Sequence, residues 1–429
     1  MAQLKVIVIG AGNRGQTYTD IMARCPEKFK VVGVAEPIEN RRNYIKEKHG
    51  CDEANCFVTW EHILDRPKFA DIAIISTMDQ LHFEPAMKAL ELGYDLLLEK
   101  PVAPTPEECG MIYKQAEKYG RKVMVCHVLR YTPYFMQLKK IIDDGVLGKV
   151  VSINHTEAVG NIHQSHSFVR GNWGNSGRAT FMLLQKCCHD IDILQWLVGE
   201  NCDRIQSFGS LSYFTEANAP KGAPERCIEG CPEADTCPYN AVKLYYDDKK
   251  NGWFRTTSTK KVAPTDEDVM EAMKNTQYGK CVFKCDNDVV DHQTVNMEFA
   301  DKSTVLLTMC AFTKGGRYSD IMGTKGMLHC EMGAEGGKQF RFYDFATKEF
   351  RYLDSEIAVA GDSITSGHGG GDTGTVNALY KYLSDELGKE DVSEIGISCY
   401  NHLLVFAAED SRVSGKVIEV KNYTDKYMK

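Results

Sequence analysis

Lys5-Val6-Ile7-Val8-Ile9-Gly10-Ala11-Gly12-Asn13-Arg14-Gly15 sets an apolar, β-branched run directly against G-x-G-x-x-G, and Gln16 to Arg24 continues as a helical stretch. A strand that breaks into a glycine turn and then opens a helix can seat a dinucleotide pyrophosphate. Gly10 allows the tight turn, Gly12 lets the backbone approach the phosphates, and Gly15 lets helix and strand pack closely. The N–H groups of the turn, through Asn13 and Arg14, and the positive helix end then receive the anion.

A second apolar strand, Val31-Val32-Gly33-Val34-Ala35, ends on Glu36. A carboxylate about twenty positions after the glycine turn accepts hydrogen bonds from ribose hydroxyls and repels a 2′-phosphate, so NAD is expected over NADP. Arg41 and Arg42, just downstream, soften that preference.

Residues 1–127 alternate strand and helix, which predicts a doubly wound parallel sheet of the Rossmann type. Its strands end at Glu36, Thr77, Lys100 and His127, and ligands bind outside such carboxyl ends. Residues 128–429 change character. Helices are expected at Tyr134–Asp143 and Cys188–Leu197, and strands at 205–213, 289–299, 304–311 and 326–331. This pattern predicts a second, α+β domain on a large, mostly antiparallel sheet, closed by a helix over 398–414 and a last strand, Val417–Val420.

The chain of 429 residues is 43% apolar and 26% charged with a net charge of −8, so it is read as a globular protein with room for two or three domains. Without a lysine or arginine block, nucleic-acid and anionic-membrane binding are not expected. No run approaches the ~18–20 apolar residues of a membrane span. The first strand begins at Leu4, which leaves no room for a signal peptide, and the 16 cysteines then fit a reducing cytoplasm. Three of them, Cys227-x3-Cys231-x5-Cys237-Pro238, sit in a Gly/Pro/Glu-rich insertion around 215–285, followed by Cys281-x3-Cys285. The expectation is a tetrahedral metal clamp on Cys227, Cys231 and Cys237, completed by Cys281, Cys285 or a histidine. Zinc is its simplest occupant and an iron–sulfur cluster the other; ordinary reduced thiols are the alternative.

With Glu99-Lys100-Pro101 and His189-Asp190-Ile191-Asp192 added to the glycine turn and Glu36, the chain resembles the Gfo/Idh/MocA family of glucose–fructose oxidoreductase and inositol dehydrogenase. Ser76-Thr77 with His82, Gly93 ahead of Glu99, Gly145–Val150 and Leu197-Val198-Gly199 fit the same course. The resemblance implies hydride transfer between a nicotinamide and a hydroxyl-bearing ring carbon of a sugar, sugar derivative, glycoside or cyclitol. It implies Lys100 near the reacting oxygen and His189 as acid/base. The implied cofactor site comprises Gly10, Gly12, Asn13, Arg14, Gly15, Glu36, Thr77, His82, Glu99, Lys100 and His127. Where many members carry an aspartate four residues before the histidine, this chain has Gln185, followed by Lys186. Gln185 can bond a hydroxyl but relays no proton, and Lys186 adds a second cation to the catalytic set. That departure opens the alternative of glycoside cleavage by transient oxidation, elimination and hydration. Substrate contacts are expected from His163, His166, Arg170 and Trp173 in a polar loop over 161–173, with His368–Asp372 as a further wall. The resemblance also implies a homo-oligomer, a dimer or tetramer, paired through the open face of the second sheet.

Overall fold

The computed structural model describes residues 3–354 and 367–429. Six strands, β1 (Leu4–Ile9), β2 (Phe29–Ala35), β3 (Cys56–Phe57), β4 (Ile72–Ile75), β5 (Asp95–Leu98) and β6 (Val123–Val125), form a parallel sheet in the order β3-β2-β1-β4-β5-β6. Residues 72–75 and 96–98 are buried without exception, as a sheet covered on both faces requires. The chain winds outward from β1 to β3 and then returns to β4 on the other flank of β1. That reversal opens a crevice at the carboxyl ends of β1 and β4. The helices obey local rules: in Pro106–Tyr119 the Thr105 side chain caps the Glu108 N–H, proline opens the first turn, and Gly120 ends it at φ 59°.

The second sheet has nine strands: β7 (Val150–Ala158), β8 (Cys202–Ser210), β9 (His292–Phe299), β10 (Thr304–Cys310), β11 (Gly316–Gly323), β12 (Gly326–Glu331), β13 (Phe340–Asp344), β14 (Phe350–Tyr352) and β15 (Ile418–Glu419). Their order is β14-β13-β12-β11-β7-β10-β9-β8-β15, and only β7 and β10 run parallel. Strict alternation sends Ile153, Val295, Met297, Leu307, Ile321 and Leu328 into the core. The helices Cys188–Val198 and Ile395–Ser414 join the same core through Ile191, Leu194, Leu403 and Leu404. The opposite face leaves Phe208, Tyr318, Met327, Phe350 and Tyr352 exposed.

Two expectations are corrected. Residues 161–173 are not an open polar loop. Asn161–His163 is a helical turn, Gln164–Arg170 a buried π-helical turn and Asn172–Gly174 a 3₁₀ turn, because their polar side chains find partners in the insertion between β8 and β9. The final strand is only Ile418–Glu419. Val420 buries its side chain and opens a helix to Met428, whose Tyr427 carbonyl lies where a Cβ on Gly110 would stand. The helix Gly371–Leu383 packs back onto the first sheet, with Val376, Leu379 and Tyr382 in one core with Val6, Val8 and Met124. Among the described residues no helix is long and apolar enough to cross a membrane.

Candidate active site

The three glycines of the turn do different work. A Cβ on Gly10, at φ 89°, would lie 2.7 Å from the Ser76 carbonyl oxygen, and one on Gly15 would lie 2.2 Å from that of Gly10. Both positions are closed by packing. At Gly12 the nearest atom is Arg41 Nη1, 3.9 Å away, so the turn presents bare backbone to the crevice. The helix Asn13–Met22 opens there with neither a side-chain cap nor an acidic residue in its first turn, which suits a pyrophosphate. Glu36 is buried, and its carboxylate accepts the N–H groups of Ala11 (2.7 Å) and Ile38 (3.0 Å), tying β2 to the turn. Asn13 is exposed at the helix start. Arg14 reaches away from it, bonding Glu99 through Nε and Asp372 through Nη2, each at 2.7 Å. Burial would raise the Glu99 carboxyl, but Arg14 and Lys100 outweigh it and hold the pKa below its ordinary value.

Lys100 follows β5 and is joined to Pro101 by a cis peptide. The His82 ring lies between two strand ends, Nδ1 2.7 Å from the Pro101 carbonyl oxygen and Nε2 3.2 Å from that of Thr77. The Lys100 ammonium leaves this frame and donates to the main-chain oxygen of Gln185 at 2.9 Å, reaching the segment that carries His189. The Gln185 carboxamide donates to Asp79 and, at 2.7 Å, to the Thr180 hydroxyl, so that side chain is engaged across the same crevice.

His189 is 8% exposed, and the His127 ring stands edge-on to it with centroids 5.7 Å apart. Behind them Asp192 accepts two bonds from Arg130 (2.7 and 2.8 Å) and one from Asn401 (2.7 Å), and lies 3.8 Å from His127 Nδ1. Burial, opposed by Asp192 and reinforced by Arg130 and Lys100, lowers His127 to about 4. Burial beside His127 lowers His402 to about 3. On the other flank Lys186 Nζ lies 3.2 Å from Glu157 Oε1, and Arg317 Nε binds both Glu157 and Asp190 at 2.7 Å. His163 meets this group: burial first, then the charges of Lys186, Arg317 and Lys100, lower it to about 2. Lys100 therefore touches the Gln185 main chain, His127 stands against His189, and the charges of Lys186 and Lys100 reach His163. Sequence reasoning missed Asp79, Arg130, Asp192, Asn401, Glu157 and Arg317. Only Asp192 had a local signal, its place in the His189 helix; the rest meet through tertiary structure.

Other expected substrate residues lie apart from that crevice. His166 stacks on Phe254 at 4.1 Å and bonds the Tyr245 hydroxyl at 3.0 Å, and Arg170 donates to the carbonyls of Lys280 (2.8 Å) and Tyr239 (2.7 Å). Both knit residues 164–170 to the insertion. Trp173 packs 6.1 Å from Phe168. The His368 side chain lies outside the described residues, while Gly371 packs onto the Val128 carbonyl and Asp372 serves Arg14. The tetrahedral zinc clamp is also corrected. Cys227, Cys231, Cys237 and Cys281 line the walls of one small cavity rather than converging on a point. Among the described residues no three His, Cys, Asp or Glu side chains are placed to hold a metal ion.

Residues 4–127 match the profile described as "Oxidoreductase family, NAD-binding Rossmann fold", and residues 135–329 match that of the GFO/IDH/MocA C-terminal domain. The oxidoreductase YteT of Bacillus subtilis (strain 168) is 24% identical over 337 residues, covering 76% of this chain and 74% of its own. Levoglucosan dehydrogenase of Pseudarthrobacter phenanthrenivorans is 29% identical over 212 residues, 47% of this chain and 52% of its own. The 2,7-anhydro-N-acetylneuraminate hydratase of Mediterraneibacter gnavus is 29% identical over 202 residues, 47% and 51% respectively. The chain thus spans about half the length of the last two. A solved levoglucosan dehydrogenase, in complex with NADH and L-sorbose, shares the fold with a TM-score of 0.69 at 19% identity, over 98% of this chain and 99% of that one.

Proposed function

From a chain that belongs to the Gfo/Idh/MocA oxidoreductase family, we propose an NAD(H)-dependent enzyme that oxidises a secondary hydroxyl, or reduces the ketone, of a sugar, sugar derivative, glycoside or cyclitol. The observation that carries this reading is the ammonium of Lys100, brought from the dinucleotide-binding half onto the main-chain oxygen of Gln185 beside His189. When bound, the nicotinamide supplies the acceptor for the hydride that leaves the carbon. Lys100 holds the hydroxyl oxygen as negative charge builds on it, and His189 takes the hydroxyl proton. His127 backs His189 as a buried neutral ring. Pairing of two or four copies through the outer face of the nine-stranded sheet belongs to the same reading, because that face carries the exposed aromatic row.

One feature favours a redox-neutral variant. Lys186 and Glu157, 3.2 Å apart, set an ammonium and a carboxylate where the Lys186 charge reaches His163. Elimination of a leaving group from a transiently oxidised ring, followed by hydration, needs such a pair in addition to the oxidation pair. The similarity to a hydratase that acts on an anhydro sugar supports the same variant. The two readings separate on a panel of sugars, inositols and aryl glycosides. Net formation of NADH indicates dehydrogenation, and aglycone release without net NADH, lost when NAD is stripped, indicates cleavage. Silence on both readouts with NAD and NADP contradicts the proposal.

A further inference from the structure

We propose that Asp79 is a further substrate-binding residue: its carboxylate takes the hydroxyl next to the reacting one, and the enzyme thereby selects a carbinol flanked by a second hydroxyl. The inference rests on the dehydrogenase reading above and names which alcohols that site accepts. Asp79 opens the turn Asp79–Leu81 beyond the carboxyl end of β4, and Lys100 lies beyond the end of β5, the neighbouring strand. Asp79 is 6% exposed, yet among the described residues no cation pairs with it, and its side chain has one bond, from the Gln185 carboxamide to Oδ2. Oδ1 accepts no bond and is not sealed in by its neighbours. Gln185 is 2% exposed; its Nε2 serves Asp79 and Thr180, while Oε1 is buried without a donor. A carboxylate only accepts, so Asp79 fixes which end of the carboxamide faces it. Two acceptors, one from each half of the chain, are left without donors in a nearly dry setting, which is costly until a ligand brings them.

The chemistry assigns the partners. Gln185 joins the two groups, its main-chain oxygen accepting the Lys100 ammonium at 2.9 Å and its side chain donating to Asp79. The reacting oxygen gains negative charge as the hydride leaves, so it needs the donor, Lys100. A carboxylate opposes that charge and suits an oxygen that keeps its proton. Sugars and cyclitols carry such an oxygen on the next carbon. Its hydroxyl donates to Asp79 Oδ1 while Lys100 holds the reacting oxygen, and two fixed oxygens set the direction of the carbinol hydrogen. The turn itself is anchored, because Gln80 Nε2 donates to the Ala179 carbonyl at 2.5 Å. An alcohol without the second hydroxyl leaves the carboxylate unpaired and is rejected.

The test uses the holoenzyme with the best substrate of the panel and its deoxy counterparts, each lacking one hydroxyl next to the reacting carbon. The wild type should lose at least about 10²-fold in kcat/KM on one of them. Asp79→Ala should lose at least about tenfold on the parent substrate and less than about threefold on that deoxy counterpart, because hydroxyl and carboxylate are two ends of one bond. Asp79→Asn, which keeps the shape, should show the same asymmetry, and the NADH dissociation constant should stay within about threefold in both variants. A purely structural role for Asp79 lowers turnover of both alcohols alike. Equal losses on the two alcohols, a wild type indifferent to every deoxy counterpart, or NADH binding weakened by about tenfold or more overturns the proposal and leaves dehydrogenation standing. A wild type silent on the whole panel takes down both readings together.

Discussion

Lys100 draws its importance from where its charge ends. The side chain starts on the dinucleotide-binding half and stops on the Gln185 carbonyl, and its field adds a smaller share to the lowering that burial imposes on His127, His163 and His402. An incoming hydroxyl oxygen can replace that carbonyl as the acceptor without moving the lysine far. Lys100→Met keeps the apolar stem and removes the donor, so kcat should fall about 10²–10³-fold while the dissociation constant for NADH stays within about threefold. Steady-state kinetics and a fluorescence titration check this, and an unchanged kcat would remove Lys100 from the chemistry. Glu99 beside it was legible as part of a motif, but its engagement was not. It is held by Arg14 and Tyr18 rather than facing the crevice, and no local pattern encodes that long-range pairing.

At the scale of elements, the glycine turn separates packing from binding. Gly15→Ala forces a Cβ against the Gly10 carbonyl and should cost about 1–3 kcal/mol of stability. Gly12→Ala meets open space and should leave the melting temperature nearly unchanged while weakening dinucleotide binding at least tenfold. Thermal melts with NADH titrations check the pair, and equal losses of stability would contradict this division. This turn and the strands around it were legible because burial writes a period, a run or a glycine spacing into the chain. Residues 161–173 were misread for the converse reason: His166 and Arg170 are polar, yet buried, because Phe254, Tyr245, Tyr239 and Lys280 wait for them far along the sequence. The final strand was overextended for a similar reason, since Val420 suits either state and the packing of its helix, with Tyr427 against Gly110, decides for helix.

For the whole molecule, four histidines are held neutral by burial: His127 at about 4, His402 and His166 at about 3, and His163 at about 2. The unfolded chain, with histidine near 6.5, binds more protons than the folded one below that pH. Their contribution to stability is therefore present above about pH 6.5 and drains away as the pH falls toward the folded values, by about 1.4 kcal/mol per pH unit for each group. The melting temperature should drop between pH 7 and pH 5, and His402→Gln should flatten that slope; a melting temperature that rises on acidification would contradict the assignment. Light scattering should give two or four copies, and Phe350→Lys with Tyr352→Lys on the outer sheet face should lower that number. A monomeric wild type would remove that face as an interface. The central claim is that a carbinol carbon is held beside Lys100 and His189 with its hydrogen directed at a nicotinamide. It is tested most directly by incubating the holoenzyme with carbon-deuterated sugars, inositols and glycosides and then reading the cofactor by nuclear magnetic resonance. Deuterium at C4 of the nicotinamide with the wild type, accumulating about 10²–10³-fold more slowly with Lys100→Met, is the predicted result. A nicotinamide that stays unlabelled with every member of the panel would contradict it.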